Sequence, residues 1–315
     1  MTAIQTETSK DPLQHTANIK SMLHKVISHV REDVTKVDDP KAKALFEVTA
    51  EVLQGLVTAY EHYENRKEGG AMNADVTRRV IPEQSVQIPW QGMILKGDLT
   101  IPQGARGTVL FAHGSGSSRH SPRNRYVAQV LQKAGFTTLL MDLLTEEEET
   151  VDIYTRHLRF DIDLLARRLI GAADWLVQQE PEPLQPVGAF GASTGAAAAL
   201  IAAAERPDSI AAVVSRGGRP DLAGAALPRV LAPTLLIVGG HDFQVIALNQ
   251  QALEQLGAKE SRMEIVPNAT HLFEEPGALE TVARLAAEWF TRYLVPSSLA
   301  AGEAMHIQRQ ISRSQ

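Results

Sequence analysis

The order of apolar and polar positions separates a helical beginning of the chain from a longer region of short apolar runs. Apolar residues recur at helical spacing between residues 15 and 30 and again between residues 45 and 60. Such spacing predicts two amphipathic helices. Asp38, Asp39 and Pro40 lie between the two runs and supply the N-cap and first-turn signal of the second helix. Residues 1–68 are therefore expected to form a helical hairpin.

The hairpin is too small to bury a core of its own. Its apolar faces are expected to dock on the rest of the chain or on a second copy, which makes the hairpin a candidate contact for a homo-oligomer. Residues 69–84 are polar and begin with two glycines, which predicts a linker. Residues 296–315 are polar and irregular and predict a loose tail.

Residues 85–295 alternate short apolar runs with longer amphipathic ones. This alternation predicts an α/β fold in which strands and helices interleave around an eight-stranded, mostly parallel sheet. The expected strands are Ser85–Ile88, Met93–Ile101, Thr108–Ala112, Thr137–Met141, Val187–Phe190, Ala211–Ser215, Thr234–Val238 and Met263–Val266. The expected helices are Asn124–Lys133, Thr155–Gln179, Thr194–Ala204, Ile246–Leu256 and Ala278–Tyr293. The acidic run 146–149 is expected to be a solvated loop or a helix start.

The sequence Gly-Ala-Ser-Thr-Gly at 191–195 carries the strongest chemical signal. It follows an expected strand directly and opens an alanine-rich helix. A serine in such a turn needs flanking glycines, because larger side chains would collide with neighbouring backbone. Ser193 is therefore the candidate nucleophile. The Thr194 amide, at the helix N-terminus, is one candidate donor to a developing oxyanion.

An acid and a base follow Ser193 in the order that a serine triad on a parallel sheet requires. Asp242 and His271 each come just after a later expected strand. Parallel strands bring such loops to one edge of the sheet, so the three residues are expected to meet there. The imidazole would take the serine proton, and the carboxylate would orient the imidazole. Asp142, after the strand that ends at Met141, is the alternative acid.

A glycine-rich loop, His-Gly-Ser-Gly-Ser-Ser at 113–118, follows the strand Thr108–Ala112. Its glycines would let backbone amides turn inward, and the Ser115 amide is the candidate for the second oxyanion donor. His113 is expected to support the loop rather than to act as a base.

Together these motifs resemble those of α/β-hydrolases, in particular the dienelactone-hydrolase-like group of small esterases. The resemblance covers about residues 85–294 and rests on the 113–118 loop, the turn around Ser193, Gly-Gly-His-Asp ending at Asp242, and the segment around His271. It implies a serine hydrolase. Dienelactone hydrolases proper use a cysteine where this chain has Ser193, so their lactone substrate does not follow. No family resemblance is recognised for the hairpin.

Two basic segments fall near the expected pocket. Arg119 follows the 113–118 loop and Arg216 follows the strand Ala211–Ser215. Either guanidinium could attract an acidic group of a substrate, while the alternative is that both are solvated and cap helices. Only a short segment, 216–233, stands where many lipases insert a lid, which favours small esters over long lipid chains.

Composition narrows the class further. A net charge of -6 argues against a nucleic-acid binder, which would need a basic face to neutralise phosphates. The chain has 0 cysteines, which excludes disulfides and thiolate metal sites. No metal site or dinucleotide fingerprint is apparent, so no cofactor is expected. No segment has the length and apolarity of a signal peptide or membrane span, so a cytoplasmic protein without membrane contact is expected.

Two classes of function are compatible with these features. The first is a hydrolase of small carboxylic esters or related acyl compounds, with thioesterase, peptidase and acyltransferase as variants on the same triad. The second is a catalytically inactive hydrolase-like scaffold that binds a partner through its hairpin. The presence of every triad residue favours the enzyme.

Overall fold

The computed structural model of the protein describes residues 12–37, 81–179 and 185–294, together with eight positions between 46 and 60. The chain divides into two compact units, Met1–Arg79 and Val80–Gln315. The expected tail 296–315 and most of the expected linker 69–84 lie outside the described residues. The last two linker positions, 83 and 84, belong instead to the first strand of the sheet.

The first unit contains helix α1 (Pro12–Lys36), which confirms the first expected helix. The described positions between 46 and 60 are all helical, although much of the second expected helix lies outside the described residues. Ile27 of α1 is buried against Ala50 and Val57. The apolar spacing in the sequence therefore marks the buried faces only in part, since Met22 and Val26 of α1 and Leu56 are exposed.

An eight-stranded sheet organises the second unit and confirms the expected α/β class. Its strands are β1 (Glu83–Trp90), β2 (Met93–Thr100), β3 (Thr108–Ala112), β4 (Thr137–Met141), β5 (Val187–Ala192), β6 (Ile210–Arg216), β7 (Thr234–Gly239) and β8 (Ser261–Val266). Their order is β1-β2-β4-β3-β5-β6-β7-β8. β1 is antiparallel to β2, and β2 to β4, whereas the remaining pairs are parallel.

Helices cover both faces of this sheet. They are α2 (Pro122–Lys133), α3 (Glu146–Thr155), α4 (Ile162–Gln179), α5 (Thr194–Glu205), α6 (Phe243–Leu253) and α7 (Ala278–Tyr293). The helices α4 and α5 bury one half of the core, and α2 and α7 bury the other. Because both faces are covered, β3, β4, β5 and β7 are buried at every position and read as continuous apolar runs.

The single long helix expected over Thr155–Gln179 is wrong. The chain instead ends α3 at Thr155, passes through a short 3-10 helix at Leu158–Phe160, and begins α4 at Ile162. Arg156 ends α3 in a left-handed conformation with φ 54°. The buried Asp152 accepts hydrogen bonds from the backbone amides of Leu158 and Arg159, at 2.6 and 3.3 Å. These bonds hold the break, since they satisfy amides that a continuous helix would have paired internally.

Candidate active site

Ser193 stands in a tight turn between β5 and α5. Its backbone has φ 51° and ψ −121°, which few residues other than glycine adopt. A Cβ at Gly191 would lie 2.4 Å from the Cα of Ala196, and one at Gly195 would lie 2.3 Å from the carbonyl oxygen of Ala112. No side chain fits at either position. The two glycines therefore allow the turn that exposes Ser193 at the carboxyl edge of the sheet.

The 113–118 loop lies directly against this turn. A Cβ at Gly114 would come within 3.0 Å of the Cβ of Ser193. The amide of Ser115 donates a hydrogen bond to the hydroxyl of Thr194, with 2.9 Å between nitrogen and oxygen. The amide expected to be the second oxyanion donor is thus already engaged, and the loop is fastened to the residue after the nucleophile.

His113 holds the same loop against β4. Its Nδ1 lies 2.9 Å from the carbonyl oxygen of Gly114, and the amide of Leu143 donates to its Nε2 at 3.0 Å. Burial is the main cause that lowers the pKa of His113 below its usual value. A neutral ring with its proton on Nδ1 satisfies both contacts. This arrangement agrees with the supporting role expected from the sequence.

Asp242 and His271 are joined by a short hydrogen bond. The Nδ1 of His271 lies 2.6 Å from the Oδ2 of Asp242. Asp242 follows β7 at the start of α6, and its side chain is 15% exposed, whereas that of His271 is 38% exposed. A carboxylate on Nδ1 fixes the tautomer that leaves Nε2 free to accept a proton.

The loop that carries His271 crosses the ends of two strands to reach the middle of the sheet. The amide of His241 donates to the carbonyl of Ala269 at 2.9 Å. A Cβ at Gly239, the last residue of β7, would lie 2.5 Å from the same carbonyl oxygen. Beyond the end of β6, a Cβ at Gly217 would lie 3.0 Å from the carbonyl oxygen of His271. The backbone of the loop therefore packs directly against Gly217 and Gly239, where a side chain would be too close to it.

The same strand end joins the histidine loop to the serine turn. The amide of Ser193 donates to the carbonyl of Arg216 at 3.2 Å, and the amide of Arg219 donates to the carbonyl of Ser193 at 3.1 Å. Since Gly217 lies against His271, the segment 216–219 has the serine on one side and the histidine on the other. All three expected residues therefore lie at one edge of the sheet.

The alternative acid, Asp142, has a different partner. Its Oδ1 accepts the backbone amide of Arg119 at 2.8 Å, and its Oδ2 forms an ion pair with the guanidinium of Arg119. The same guanidinium lies 3.5 Å from the buried carboxylate of Asp98. Asp142 thus holds the end of the 113–118 loop, and the imidazole of His271 contacts Asp242 instead.

The two arginines considered for substrate binding are not solvated helix caps. The Arg119 side chain is mostly buried between its two carboxylates. The Arg216 side chain is buried, and its Nη2 reaches the amide oxygen of Asn124 at 3.5 Å. Contact of either guanidinium with a substrate stays a prediction.

Arg159 is a residue of this region that the sequence pattern did not single out. Its Nη1 would lie 3.4 Å from a Cβ at Gly116, so the guanidinium borders the 113–118 loop. The Nε donates to the carboxylate of Asp152 at 2.6 Å, and Nη2 lies 3.4 Å from Glu149. Arg159 fell inside the expected long helix, where nothing distinguished it from a solvated position. Because the helix is broken before α4, the side chain of Arg159 points toward the 113–118 loop.

The pairing of Asp152 with Arg159 makes the stability of this segment depend on pH. Burial alone would raise the pKa of Asp152, but hydrogen bonds from Arg159 and Leu158 outweigh it and hold the pKa below its usual value. A carboxyl group with a lowered folded pKa stabilises the fold above its unfolded pKa and loses that contribution as the pH falls.

We therefore expect Asp152→Asn to lower the free energy of unfolding near neutral pH by about 2 kcal/mol, the scale of a hydrogen bond to a charged group. Urea unfolding of both proteins, repeated from neutral pH to about pH 3, measures the difference. The gap between them should narrow once the pH falls below about 4, the usual pKa of an aspartate. A gap that stays constant with pH would contradict the proposed cause.

Metal clusters and membrane-spanning helices are both absent from the described residues. No group of three or more His, Asp or Glu side chains there is arranged to hold a metal ion. Nor is any helix among the residues that the structure describes long and apolar enough to cross a membrane.

Comparison with solved structures agrees with this architecture. A dienelactone hydrolase from Anabaena variabilis is 65% identical, with a TM-score of 0.65, and the match covers 68% of this chain and 98% of that one. Est1E from Butyrivibrio proteoclasticus is 15% identical with a TM-score of 0.55, over 66% of this chain and 98% of its own. The esterase Pf2001 from Pyrococcus furiosus is 20% identical with a TM-score of 0.56, over 68% and 94%. The last two show the fold alone.

Two curated relatives from Mycobacterium tuberculosis, of strains CDC 1551 and H37Rv, are each 55% identical over 227 residues, and both carry a provisional phosphoribosyl transferase name. The match covers 72% of this chain but only 50% of each relative, so the chain spans about half their length. The model of the dienelactone hydrolase family matches residues 95–294, which contain β3 to α7 and all three residues discussed above. The chain therefore belongs to the dienelactone hydrolase family and has the α/β-hydrolase fold.

Proposed function

We propose that the protein is a serine hydrolase that cleaves small carboxylic esters or related acyl compounds through an acyl-enzyme. Ser193 is the nucleophile, His271 the general base and Asp242 the acid that orients it. The observation that carries the proposal is the 2.6 Å hydrogen bond between His271 and Asp242, on a loop that lies beside the Ser193 turn.

Each of these groups has a step in the proposed reaction. The Ser193 hydroxyl attacks the acyl carbon while Nε2 of His271 takes its proton, and the carboxylate of Asp242 stabilises the imidazolium. The carbonyl oxygen of the substrate becomes negative and accepts a hydrogen bond from the backbone amide of Thr194, at the positive end of the α5 dipole. When the intermediate collapses, the imidazolium protonates the leaving alcohol. A water molecule, deprotonated by His271, then hydrolyses the acyl-enzyme and restores Ser193.

The surroundings of the site favour small substrates with apolar groups. The segment Pro220–Arg229, between β6 and β7, consists of two short 3-10 helices separated by a kink at Gly224. Its Ala223 and Leu227 are buried in the core, so it does not form a separate lid. Phe160 and Phe243, which directly follow Arg159 and Asp242 in the chain, are 55% and 74% exposed. An ester with an apolar acyl or alcohol part would bury such surface on binding.

The phosphoribosyl transferase name of the mycobacterial relatives does not add a second candidate. That name describes proteins about twice as long as the segment that matches, and no observation in the described residues favours the transfer of a phosphoribosyl group.

A fluorophosphonate probe tests the proposed nucleophile directly. The full chain is incubated with the probe, digested, and mapped by mass spectrometry, with heat-unfolded protein as the control. We expect one adduct, on Ser193, in the folded protein alone, together with hydrolysis of p-nitrophenyl acetate. An adduct on another residue would contradict the assignment. Absence of both label and turnover would favour an inactive scaffold instead, and label without turnover would exclude simple esters as substrates.

A further inference from the structure

The hydroxyl of Thr194 occupies an unusual place between the nucleophile turn and the 113–118 loop. Thr194 is the first residue of α5 and is 4% exposed. Its Oγ1 accepts the amide of Ser115 at 2.9 Å, and in the part of the chain that the structure describes this is the one hydrogen bond that the hydroxyl makes. Its own proton is therefore not used by that bond.

The position of Thr194 in the helix explains why this proton has no backbone acceptor. Threonine hydroxyls inside helices usually donate to a carbonyl of the preceding turn. Thr194 begins its helix, so no preceding helical turn exists. The proton can then point toward the space beside Ser193.

The bond to Ser115 also changes the donor strength of this hydroxyl. An oxygen that accepts a hydrogen bond from an amide is polarised, and its own proton becomes a better donor, most of all where water is excluded. The 2.9 Å separation is the distance at which an oxyanion-hole donor meets a negative oxygen, about 2.7–3.1 Å. Oγ1 thus takes the hydrogen bond that the Ser115 amide was expected to donate to the substrate oxygen.

We propose that the Thr194 hydroxyl is part of the oxyanion hole, where it donates to the carbonyl oxygen of the substrate while it accepts the amide of Ser115. The negative oxygen is then held by two donors of one residue, the Thr194 amide and the Thr194 hydroxyl. The Ser115 amide does not contact the substrate oxygen; it donates to the Thr194 hydroxyl and polarises it. No proton is transferred in this arrangement. The inference rests on the function proposed above.

Valine and serine at position 194 separate the hydroxyl from the shape of the side chain. Thr194→Val keeps the branched shape and removes the hydroxyl, whereas Thr194→Ser keeps the hydroxyl and removes the methyl group. Thr234→Val is the matched control, because Thr234 is also buried and donates one hydrogen bond, to Ala232 at 2.9 Å, but lies at the amino end of β7. For each full-length variant, kcat and KM with p-nitrophenyl acetate, the rate of fluorophosphonate labelling and the melting temperature are measured.

Loss of one oxyanion donor lowers kcat by about 10²–10³-fold in known cases. In Thr194→Val the Ser115 amide would no longer be bound to a hydroxyl and could donate to the substrate oxygen itself, which would make the decrease in kcat smaller. We therefore expect Thr194→Val to lower kcat about 10- to 100-fold, with KM changed by less than about twofold and labelling slowed in parallel. Thr194→Ser should stay within about threefold of the wild type. Thr234→Val should keep the wild-type kcat even where its melting temperature falls as much as that of Thr194→Val.

Several results would overturn the inference. A wild-type or higher kcat in Thr194→Val would mean that the hydroxyl only fills the place of the substrate oxygen. Equal losses in Thr194→Val and Thr194→Ser would assign the effect to the methyl group. If Thr194→Val does not fold, Thr194→Ala carries the same expectation. A wild-type protein without label or turnover would remove the proposed function, whereas an active wild type with an unaffected Thr194→Val would remove this inference alone.

Discussion

Replacing Ser193 by alanine is expected to lower the hydrolysis of p-nitrophenyl acetate by a factor on the order of 10⁵ or more. Without the hydroxyl no acyl-enzyme forms, and only the oxyanion donors and substrate binding remain to assist direct attack by water. Alanine has the same difficulty as serine at φ 51°, so the fold should persist with little change in the free energy of unfolding. Initial rates and urea unfolding of both proteins check the two parts of this result.

A second serine provides the control for this experiment. Ser209 lies in the turn before β6, at the opposite edge of the sheet, and is half-buried. Ser209→Ala should keep the wild-type rate within about twofold, since surface changes away from a site have small effects. Turnover by Ser193→Ala close to that of Ser209→Ala would mean that another residue performs the hydrolysis.

Asp242→Asn is expected to lower kcat by about 10⁴-fold, as in serine enzymes whose triad acid is made neutral. The amide group of asparagine would donate to Nδ1 of His271, which places the ring proton on Nε2, where the serine proton must go. Asp142→Asn is the control, because the sequence offered Asp142 as the alternative acid. It should reduce kcat by less than about tenfold and lower the melting temperature, since the Arg119 ion pair is weakened. If Asp142→Asn lowered kcat more than Asp242→Asn, Asp142 would be the triad acid and Asp242 would not.

The parts of the fold that the sequence predicted well are those with local causes. β3 and β4 were expected with their observed bounds, because both are short runs buried on both sides and ended by turn residues. The turn at Ser193 was expected from its glycines, whose absent side chains are a requirement of that turn alone. The positions of Asp242 and His271 followed from the common direction of parallel strands.

The parts that the sequence left out depend on side-chain hydrogen bonds that no local pattern specifies. The break before α4 rests on the carboxylate of Asp152, six and seven residues before the amides that it accepts. The start of α3 was readable, since Thr145 and Glu148 form a capping box. The engagement of Arg119 by Asp142 spans 23 residues, and that of Ser115 by Thr194 spans 79. Nothing in the local pattern indicates such bonds.

The glycines under the histidine loop, at positions 217 and 239, have a consequence for how activity could be lost in this architecture. A methyl group at Gly239 would need the space of the Ala269 carbonyl, and one at Gly217 would press on the backbone of His271. Either substitution would shift the loop that carries His271 and displace its imidazole, although Ser193, Asp242 and His271 would all still be present in the sequence. The presence of all three reactive side chains therefore does not by itself indicate an active enzyme on this scaffold. Glycine must also be present at positions 217 and 239.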